Sequence, residues 1–403
     1  MKNFPASRHY KKYSTAQQGF SLVEILVGLV IGLLATLVIM QVFSVFEGQK
    51  RTTTGAADAQ TNGSIALHTI ASELKSAAYT MLPFGYSGTS DALIDCDSTA
   101  VTAAAATSGV GDPATLTAFN SPLSPVIIAD GGTGVGASDS ITVRYGNAGM
   151  AGIPVEIQDA TTLPNLRVKN SDNCQTGIAV ILPGSDTGSN CKVVTVIEIP
   201  PVVTPIGPND SQIIKLGDTS GVNIVGGQDL VCLGNWNEVT YGVNASNLEK
   251  DGTPMVSDIV NIQAQYGIAV GGFYNKDLAE NDPLRADFNQ VIEWVNPVDG
   301  LASGDWGASI TVANRNRIKA VRVAVVARNG QMEKTAVTQP CTTFDGTVNN
   351  GPCAWDDSSA DVDAAPKIDL RANTADTTWQ NYRYRVFETI IPIRNVMWSK
   401  ETL

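Results

Sequence analysis

The sequence predicts an α+β protein, in which one long N-terminal α-helix packs on an enlarged antiparallel β-sheet body. Two observations support this fold class. An apolar segment runs from Phe20 to Phe46 and is long enough for a helix of several turns. From Leu82 onward, short runs rich in β-branched residues alternate with turn-rich loops, and no helical pattern of comparable length occurs.

The apolar segment is predicted to be a membrane-spanning helix. At about 1.5 Å per residue it would extend roughly 40 Å, which exceeds the roughly 30 Å of a bilayer's hydrocarbon core. The basic residues of the leader all precede it, so the positive-inside rule leaves the N-terminus in the cytoplasm. We therefore expect a single pass through the membrane, with everything after Phe46 outside the cytoplasm. The polar residues that interrupt the segment are Ser21, Glu24, Thr36, Gln41 and Ser44.

The helical pattern continues past the apolar segment, and the predicted helix spans residues 20–80. Its second half has an apolar stripe at steps of three or four residues, formed by Leu67, Ile70, Leu74, Ala78 and Met81. This half is expected to pack on the body. Several threonines and glycines between Thr52 and Gly63 lower the helix propensity, so we expect a local break or melted turn there.

The body, residues 81–403, is predicted to be extracytoplasmic and rich in strands. A short helix is expected around Pro283–Val295, and Val321, Val323 and Val325 are expected to share one face of their strand. The 403 residues are enough for one large core or two smaller ones. The predicted strands are Ser140–Tyr145, Gly177–Leu182, Lys192–Ile199, Glu238–Val243, Val260–Tyr266, Ile318–Ala327 and Tyr382–Arg394.

The charge distribution argues against direct binding of nucleic acid. The formal net charge is −12, but Lys2, Arg8, Lys11 and Lys12 all lie in the first 19 residues, which contain no acidic residue. The rest of the chain has 23 basic residues against 39 acidic ones, a net charge of −16. A body this acidic repels the phosphate backbone.

The junction between the basic leader and the apolar segment reads Gly19-Phe20-Ser21-Leu22-Val23-Glu24. This motif resembles the type IV prepilin processing site. The resemblance implies a leader of residues 1–19, cleavage by a prepilin peptidase between Gly19 and Phe20, and N-methylation of Phe20. Cleavage before the apolar segment, rather than after it, leaves the helix on the mature protein. Gly19 has no side chain, which permits close approach by a protease.

Glu24 is a carboxylate within an apolar helix, where an ionisable residue normally has a partner. The resemblance to pilins implies that it pairs with the α-amine of a neighbouring subunit's first residue. The alternative is that Glu24 lies at the level of the lipid headgroups. Gly28 and Gly32 form a Gly-x-x-x-Gly pair that could bring helices close, although glycine is also common in such segments.

Four internal segments are distinctive: residues 138–145, 258–267, 318–328 and 384–395. These segments resemble the body of PilW-type minor pilins. The resemblance implies a pilin-like fold and a minor pilin that helps to prime type IV pilus assembly and lies at or near the pilus tip, supporting adhesion and twitching motility. The implied location is the inner membrane before assembly, with the body in the periplasm, and the pilus afterwards. The implied partners are other minor pilins, the major pilin, the prepilin peptidase, the inner-membrane assembly platform and a PilY-type tip adhesin.

Six cysteines all follow the membrane span, and so lie in a compartment where disulfides persist. Six cysteines allow about 15 pairings. Spacing favours Cys341–Cys353 first and Cys174–Cys191 next, which leaves Cys96–Cys232 by elimination. A zinc site is disfavoured because neither Cys-x-x-Cys nor paired histidines occur.

The sequence gives little support for catalysis, a cofactor or a metal. The mature chain has one histidine, His68, which is expected on the surface of the helix, and no Gly-x-Ser-x-Gly elbow accompanies it. The acidic cluster Asp356, Asp357, Asp361 and Asp363 could bind calcium, but it lacks the spacing of a calcium loop and is expected to be a solvated loop. Three other functions stay open: a type II secretion pseudopilin, an adhesin or binding module on the same anchor, and a membrane-tethered enzyme.

Overall fold

A computed structural model describes twelve parts of the chain, which fall into two units, Met1–Thr54 and Gly55–Leu403. The parts described are residues 19–81, 98–101, 124–182, 190–201, 212–217, 219, 223–269, 290–297, 306, 317–344, 346–355 and 365–398.

The described elements agree with the α+β prediction, with one long helix followed by many strands. The helices are α1 (Leu22–Leu74) and the short α2 (Arg394–Trp398). The strands are β1 (Ser98–Val101), β2 (Val126–Ala129), β3 (Ser140–Tyr145), β4 (Val155–Asp159), β5 (Asn165–Val168), β6 (Gly177–Ile181), β7 (Asn190–Glu198), β8 (Gln212–Leu216), β9 (Asp229–Gly234), β10 (Asn237–Asn244), β11 (Asn247–Lys250), β12 (Thr253–Ser257), β13 (Ile259–Ile268), β14 (Glu293–Val295), β15 (Ile318–Arg328), β16 (Cys341–Thr342), β17 (Val348–Asn349) and β18 (Tyr384–Pro392).

In the first unit, α1 exposes its apolar side chains on every face, from Phe20 to Phe46. It is the helix, among the described residues, that is long and apolar enough to cross a membrane. A helix that is apolar all round needs lipid or other helices around it. This part of α1 therefore has the character expected of a membrane span.

The expected break between Thr52 and Gly63 is wrong, because α1 continues without interruption to Leu74. The hydroxyls of Thr52 and Thr53 donate to the carbonyls of Gly48 and Gln49, four residues earlier, which accommodates threonine within the helix.

Gly55 and Gly63 are packing positions rather than helix breaks. A Cβ added at Gly55 would lie 2.0 Å from the side chain of Asn329, and one added at Gly63 would lie 2.0 Å from the ring of Phe387. Tertiary packing of the helix on the body outweighs the low intrinsic propensity of glycine.

Two sheets of the body form most of the main core. The five-stranded sheet has the order β12-β11-β10-β3-β2, and the four-stranded sheet has the order β14-β13-β15-β18. The predicted apolar stripe packs on this core: Ile70, Leu74, Ala78 and Met81 are buried in it and Leu67 is partly buried against it, although α1 ends at Leu74. In β15, Val321, Val323 and Val325 also face the main core, whereas Ala324 and Val326 face a smaller cluster on the opposite side of the sheet.

A closed β-barrel is the part of the fold that the sequence did not indicate. In the seven-stranded sheet, strands follow the order β7-β6-β9-β4-β5-β8, and β8 pairs back to β7, while β1 pairs in parallel with the start of β7. The barrel has its own apolar interior, which includes Ile157, Leu166 and Ile214. It is inserted between β3 and β10, which pair directly with each other, with Tyr145 opposite Asn237.

Strands β6, β7 and β9 are buried on both faces. Alternate residues such as Ala179 and Val194 point into the barrel, whereas Val180 and Val193 belong to the main core. This is why these strands read as continuous apolar runs rather than as an alternating pattern. The body thus has two large cores that share one wall.

The expected disulfide Cys174–Cys191 is wrong, because Cys174 is bonded to Cys232. Cys232 belongs to the interior of the barrel and Cys174 packs against it, whereas Cys191 faces the main core on the other side of β7. The elimination pair Cys96–Cys232 is therefore also wrong. Cys191 is disulfide-bonded as well, and Cys96 lies outside the described residues.

The disulfide Cys341–Cys353 is present, as spacing suggested. The seven predicted strands are confirmed, with shifts of at most two residues at their ends. The helix expected around Pro283–Val295 is wrong at Glu293–Val295, which form β14 and pair with β13; residues 283–289 lie outside the described residues.

Candidate functional site: the processing motif and the contact between helix and body

The processing motif lies at the start of α1. Gly19 and Phe20 precede the helix, and Phe20 is 80% exposed. The Ile25 N–H donates to the Ser21 carbonyl at 3.2 Å, which closes the first helical turn. Glu24 is exposed in that turn, where the positive end of the helix dipole favours a carboxylate. The structure thus leaves both the Gly19–Phe20 bond and the Glu24 carboxylate accessible.

Glu73 connects the end of α1 to the five-stranded sheet. Its Oε1 accepts a hydrogen bond from the Tyr145 hydroxyl at 2.5 Å. Its Oε2 accepts from the Tyr241 hydroxyl at 3.1 Å and from Lys250 Nζ at 3.1 Å. These donors lie on β3, β10 and β11, so one carboxylate on the helix is held by three neighbouring strands.

The surroundings of Glu73 change the acidity of several groups. Burial alone would raise the pKa of Glu73, but the hydrogen bonds from Tyr145, Lys250 and Tyr241 and the charge of Lys250 outweigh burial and lower it. Burial and the neighbouring carboxylate raise the pKa of both tyrosines well above the usual value. At neutral pH the Glu73 carboxylate is therefore an anion and both tyrosine hydroxyls are neutral.

Sequence reasoning missed Glu73. A signal was available, because Glu73 lies between Ile70 and Leu74 on the part of the helix predicted to pack on the body. A carboxylate at the border of an apolar stripe calls for donors on the opposing surface. Which donors those are depends on the sheet register, which the sequence did not specify.

Three further contacts fix the same half of the helix. Asn62 Nδ2 donates to Ser257 Oγ at 3.5 Å, and Arg385 Nη1 donates to Gln60 Oε1 at 2.8 Å. Near the end of the helix, Asn395 Nδ2 donates to the Ala77 carbonyl at 2.8 Å. Polar contacts thus accompany the apolar packing of the helix along its length on the body.

Asp139 joins the two sheets of the main core. Its side chain is buried, and it accepts from the N–H of Gly131 at 3.0 Å and of Ala264 at 2.8 Å. Its own N–H donates to the Ile262 carbonyl of β13 at 2.9 Å. Burial raises the pKa of Asp139 to about 7; the two backbone N–H groups lower it in part, and the nearby Asp130 carboxylate raises it further.

Among the described residues, the other candidates from the sequence are not brought together into a site. His68 is exposed on α1, as expected of a surface residue. Within the described ranges, no group of three or more His, Cys, Asp or Glu side chains could hold a metal ion. The cluster Asp356, Asp357, Asp361 and Asp363 lies outside those ranges.

Two family models match the chain. Residues 230–395 match the model described as Type IV Pilus-assembly protein W, and residues 14–40 match the Prokaryotic N-terminal methylation motif. The first match begins within β9 and ends in α2, so it includes the four-stranded sheet and most of the five-stranded sheet. Comparison with curated proteins and with solved structures gave no match.

The two matches agree with the motifs and the architecture. The methylation-motif match covers the predicted processing site and the start of the apolar helix, and the two together support anchoring in the inner membrane. The helix-and-sheet architecture is pilin-like, and the PilW match supports a structural component of type IV pilus assembly. The chain is thus similar to the PilW family over residues 230–395 and to the prokaryotic methylation motif at its N-terminus.

Proposed function

We propose that this chain is a minor pilin that primes assembly of the type IV pilus and stays at or near its tip. Before assembly, α1 anchors it in the inner membrane with the body in the periplasm. The prepilin peptidase removes residues 1–19, and Phe20 becomes the methylated N-terminus. The observation that carries the proposal is the unbroken helix Leu22–Leu74, whose apolar half is exposed and whose other half is fixed to the body.

The helix has two roles in this proposal. In the membrane its apolar side chains contact lipid, and in the filament they contact the helices of neighbouring subunits. Burial at about 25 cal/mol per Å² offsets the loss of lipid contact. Pairing of Glu24 with the α-amine of a neighbour's Phe20 removes an unpaired carboxylate from the apolar surroundings. The partners are accordingly other minor pilins, the major pilin and the assembly platform.

Intact-mass analysis of the protein recovered from sheared pili and from membranes of the same cells tests this function. We expect a chain that begins at methylated Phe20 in both fractions. A chain that begins at Met1 and is confined to membranes would contradict the proposal. If the processed chain is found in a secretion apparatus and not in pili, the function is that of a type II secretion pseudopilin.

A further inference from the structure

Strand β18 forms an open edge of the four-stranded sheet. It pairs with β15 over nine consecutive residues, from Tyr384 opposite Arg328 to Pro392 opposite Ala320, without a bulge. In the described part of the chain, no strand pairs with its other side. At about 3.4 Å per residue, the open edge is roughly 30 Å long.

The backbone groups of this edge are identified by the hydrogen bonds on the paired side. The Asn329 N–H donates to the Arg383 carbonyl, and the Ile393 N–H donates to the Lys319 carbonyl, each at 2.8 Å. Since backbone groups alternate between the two sides of a strand, odd-numbered residues of β18 bond to β15. The N–H and C=O groups of the even-numbered residues therefore point outward, at Tyr384, Val386, Glu388 and Ile390.

Native proteins protect exposed edge strands with charged side chains, proline and bulges; β18 has the exposed charges of Arg385 and Glu388 and a proline at its end, but no bulge. Pro392 is the last residue of the strand, so it blocks only the end. The other edge strands are shorter or interrupted: β14 has three residues, β2 has four, and β12 contains Pro254 and pairs with β11 through a bulge. A regular edge of this length is suited to the addition of another strand.

The charges of β18 indicate what kind of strand fits. Arg385 and Glu388 are exposed, and neither has an ion-pair partner in the described ranges; Arg385 contacts Gln60, and Glu388 accepts the Trp355 N–H at 2.9 Å. A second copy paired over the whole strand would place Glu388, the midpoint, directly opposite its own copy. Like charges in directly opposite positions are destabilising, so a second copy is disfavoured.

We propose that β18 is the docking edge for an extended strand of a different pilus subunit, which adds antiparallel to Tyr384–Pro392. The added strand bonds to the outward backbone groups and presents an acidic side chain opposite Arg385 and a basic one opposite Glu388. This inference rests on the proposed function for the identity of the assembly, whereas the edge itself is a property of the sheet.

Photo-crosslinking in pilus-producing cells tests the proposal with the full-length chain. A benzophenone amino acid replaces Glu388 in one variant and Ile390, which is 59% exposed, in another. We expect both variants to link to one segment of one other pilin, at positions two residues apart and in antiparallel order. Links to copies of this chain alone, to scattered positions, or to no protein would overturn the proposal.

A proline variant tests the backbone bonds directly. Glu388→Pro removes one outward N–H, and Glu388→Ala, the matched control, removes the charge but keeps that N–H. We expect Glu388→Pro to reduce the cross-link from position 390 at least tenfold and Glu388→Ala at most threefold. An unchanged cross-link in the proline variant contradicts strand addition. If the proline variant unfolds, the link positions found with the unmodified backbone decide the question.

The same cells separate this inference from the proposed function. Recovery of the processed wild-type chain in sheared pili tests the pilus assignment alone. If the chain is present in pili but neither position gives the expected links, only the docking edge is wrong. If the chain is absent from pili, the proposed function is wrong.

Discussion

The Glu73 carboxylate on α1 and the Tyr145 hydroxyl at the end of β3 are joined by a hydrogen bond of 2.5 Å. The same carboxylate accepts from Tyr241 and Lys250, and its side chain is only 14% exposed. A single carboxylate thus fixes the last turn of the helix on three strands of the body.

Glu73→Gln should destabilise the body. The NH2 group that replaces one carboxylate oxygen cannot accept a hydrogen bond from a hydroxyl or ammonium donor. We expect the free energy of unfolding of the full chain in detergent to fall by about 1–3 kcal/mol at pH 7. The pKa of Glu73 is lowered from 4.5 in the folded state, so its contribution is present above that pH and is lost as the pH falls through the folded pKa. Glu47→Gln is the control, since its ion pair with Arg51 is exposed and should change stability by less than about 0.5 kcal/mol.

Gly63→Ala tests whether glycine is needed for close packing of the helix on β18. The new Cβ would lie 2.0 Å from the Phe387 ring, so the ring or the helix must move. We expect a loss of about 1–3 kcal/mol in the free energy of unfolding, measured with denaturant. Gly48→Ala, where no atom lies within 4 Å, should leave the body unchanged. Equal stability of Gly63→Ala and the wild type would show that the helix packs differently.

Asp139 should make the stability of the body depend on pH between about 4 and 7. Its folded pKa is raised to about 7 from 3.8, so in this window the unfolded state has released a proton that the folded state retains. The contribution of Asp139 to the free energy of unfolding is therefore largest below about pH 4. It falls by roughly 1 kcal/mol per pH unit up to about pH 7. Asp139→Asn should flatten this dependence in urea titrations at several pH values, whereas Asp172→Asn, at an exposed position, should not.

Disulfide mapping by mass spectrometry without reduction should find Cys174 linked to Cys232 and Cys341 linked to Cys353. With those four cysteines bonded and Cys191 also in a disulfide, Cys96 is the remaining cysteine, so we expect a Cys96–Cys191 link. A peptide that contains Cys174 linked to Cys191 would contradict the barrel arrangement, because these two residues belong to opposite faces of its wall.

Glu24→Val tests pairing with a neighbouring subunit. An apolar residue removes the carboxylate without disturbing the membrane span, so we expect normal insertion and processing but at least tenfold less of the chain in sheared pili. Glu47→Val, outside the first turn, is the control and should retain incorporation. Normal incorporation of Glu24→Val would end the proposed pairing role.

The sequence by itself determined the prepilin-like motif, the long helix, the positions of seven of the eighteen described strands and the Cys341–Cys353 disulfide. Each of these depends on residues close together in the chain: a leader next to an apolar segment, a run of β-branched residues, or two cysteines separated by 12 positions. Such local signals are set by hydrophobicity and backbone propensity, and these are readable without knowledge of the fold.

Only the tertiary structure decided the features that depend on which strands become neighbours. The barrel exists because β8 pairs back to β7, and its closure places Cys174 beside Cys232 and away from Cys191. Gly55 and Gly63 weaken an isolated helix, but they fit the contacts with Asn329 and Phe387. The Glu73 carboxylate accepts hydrogen bonds from three side chains on strands far along the chain. In each case the free energy comes from packing and pairing between distant segments, which outweighs the local preference that the sequence displays.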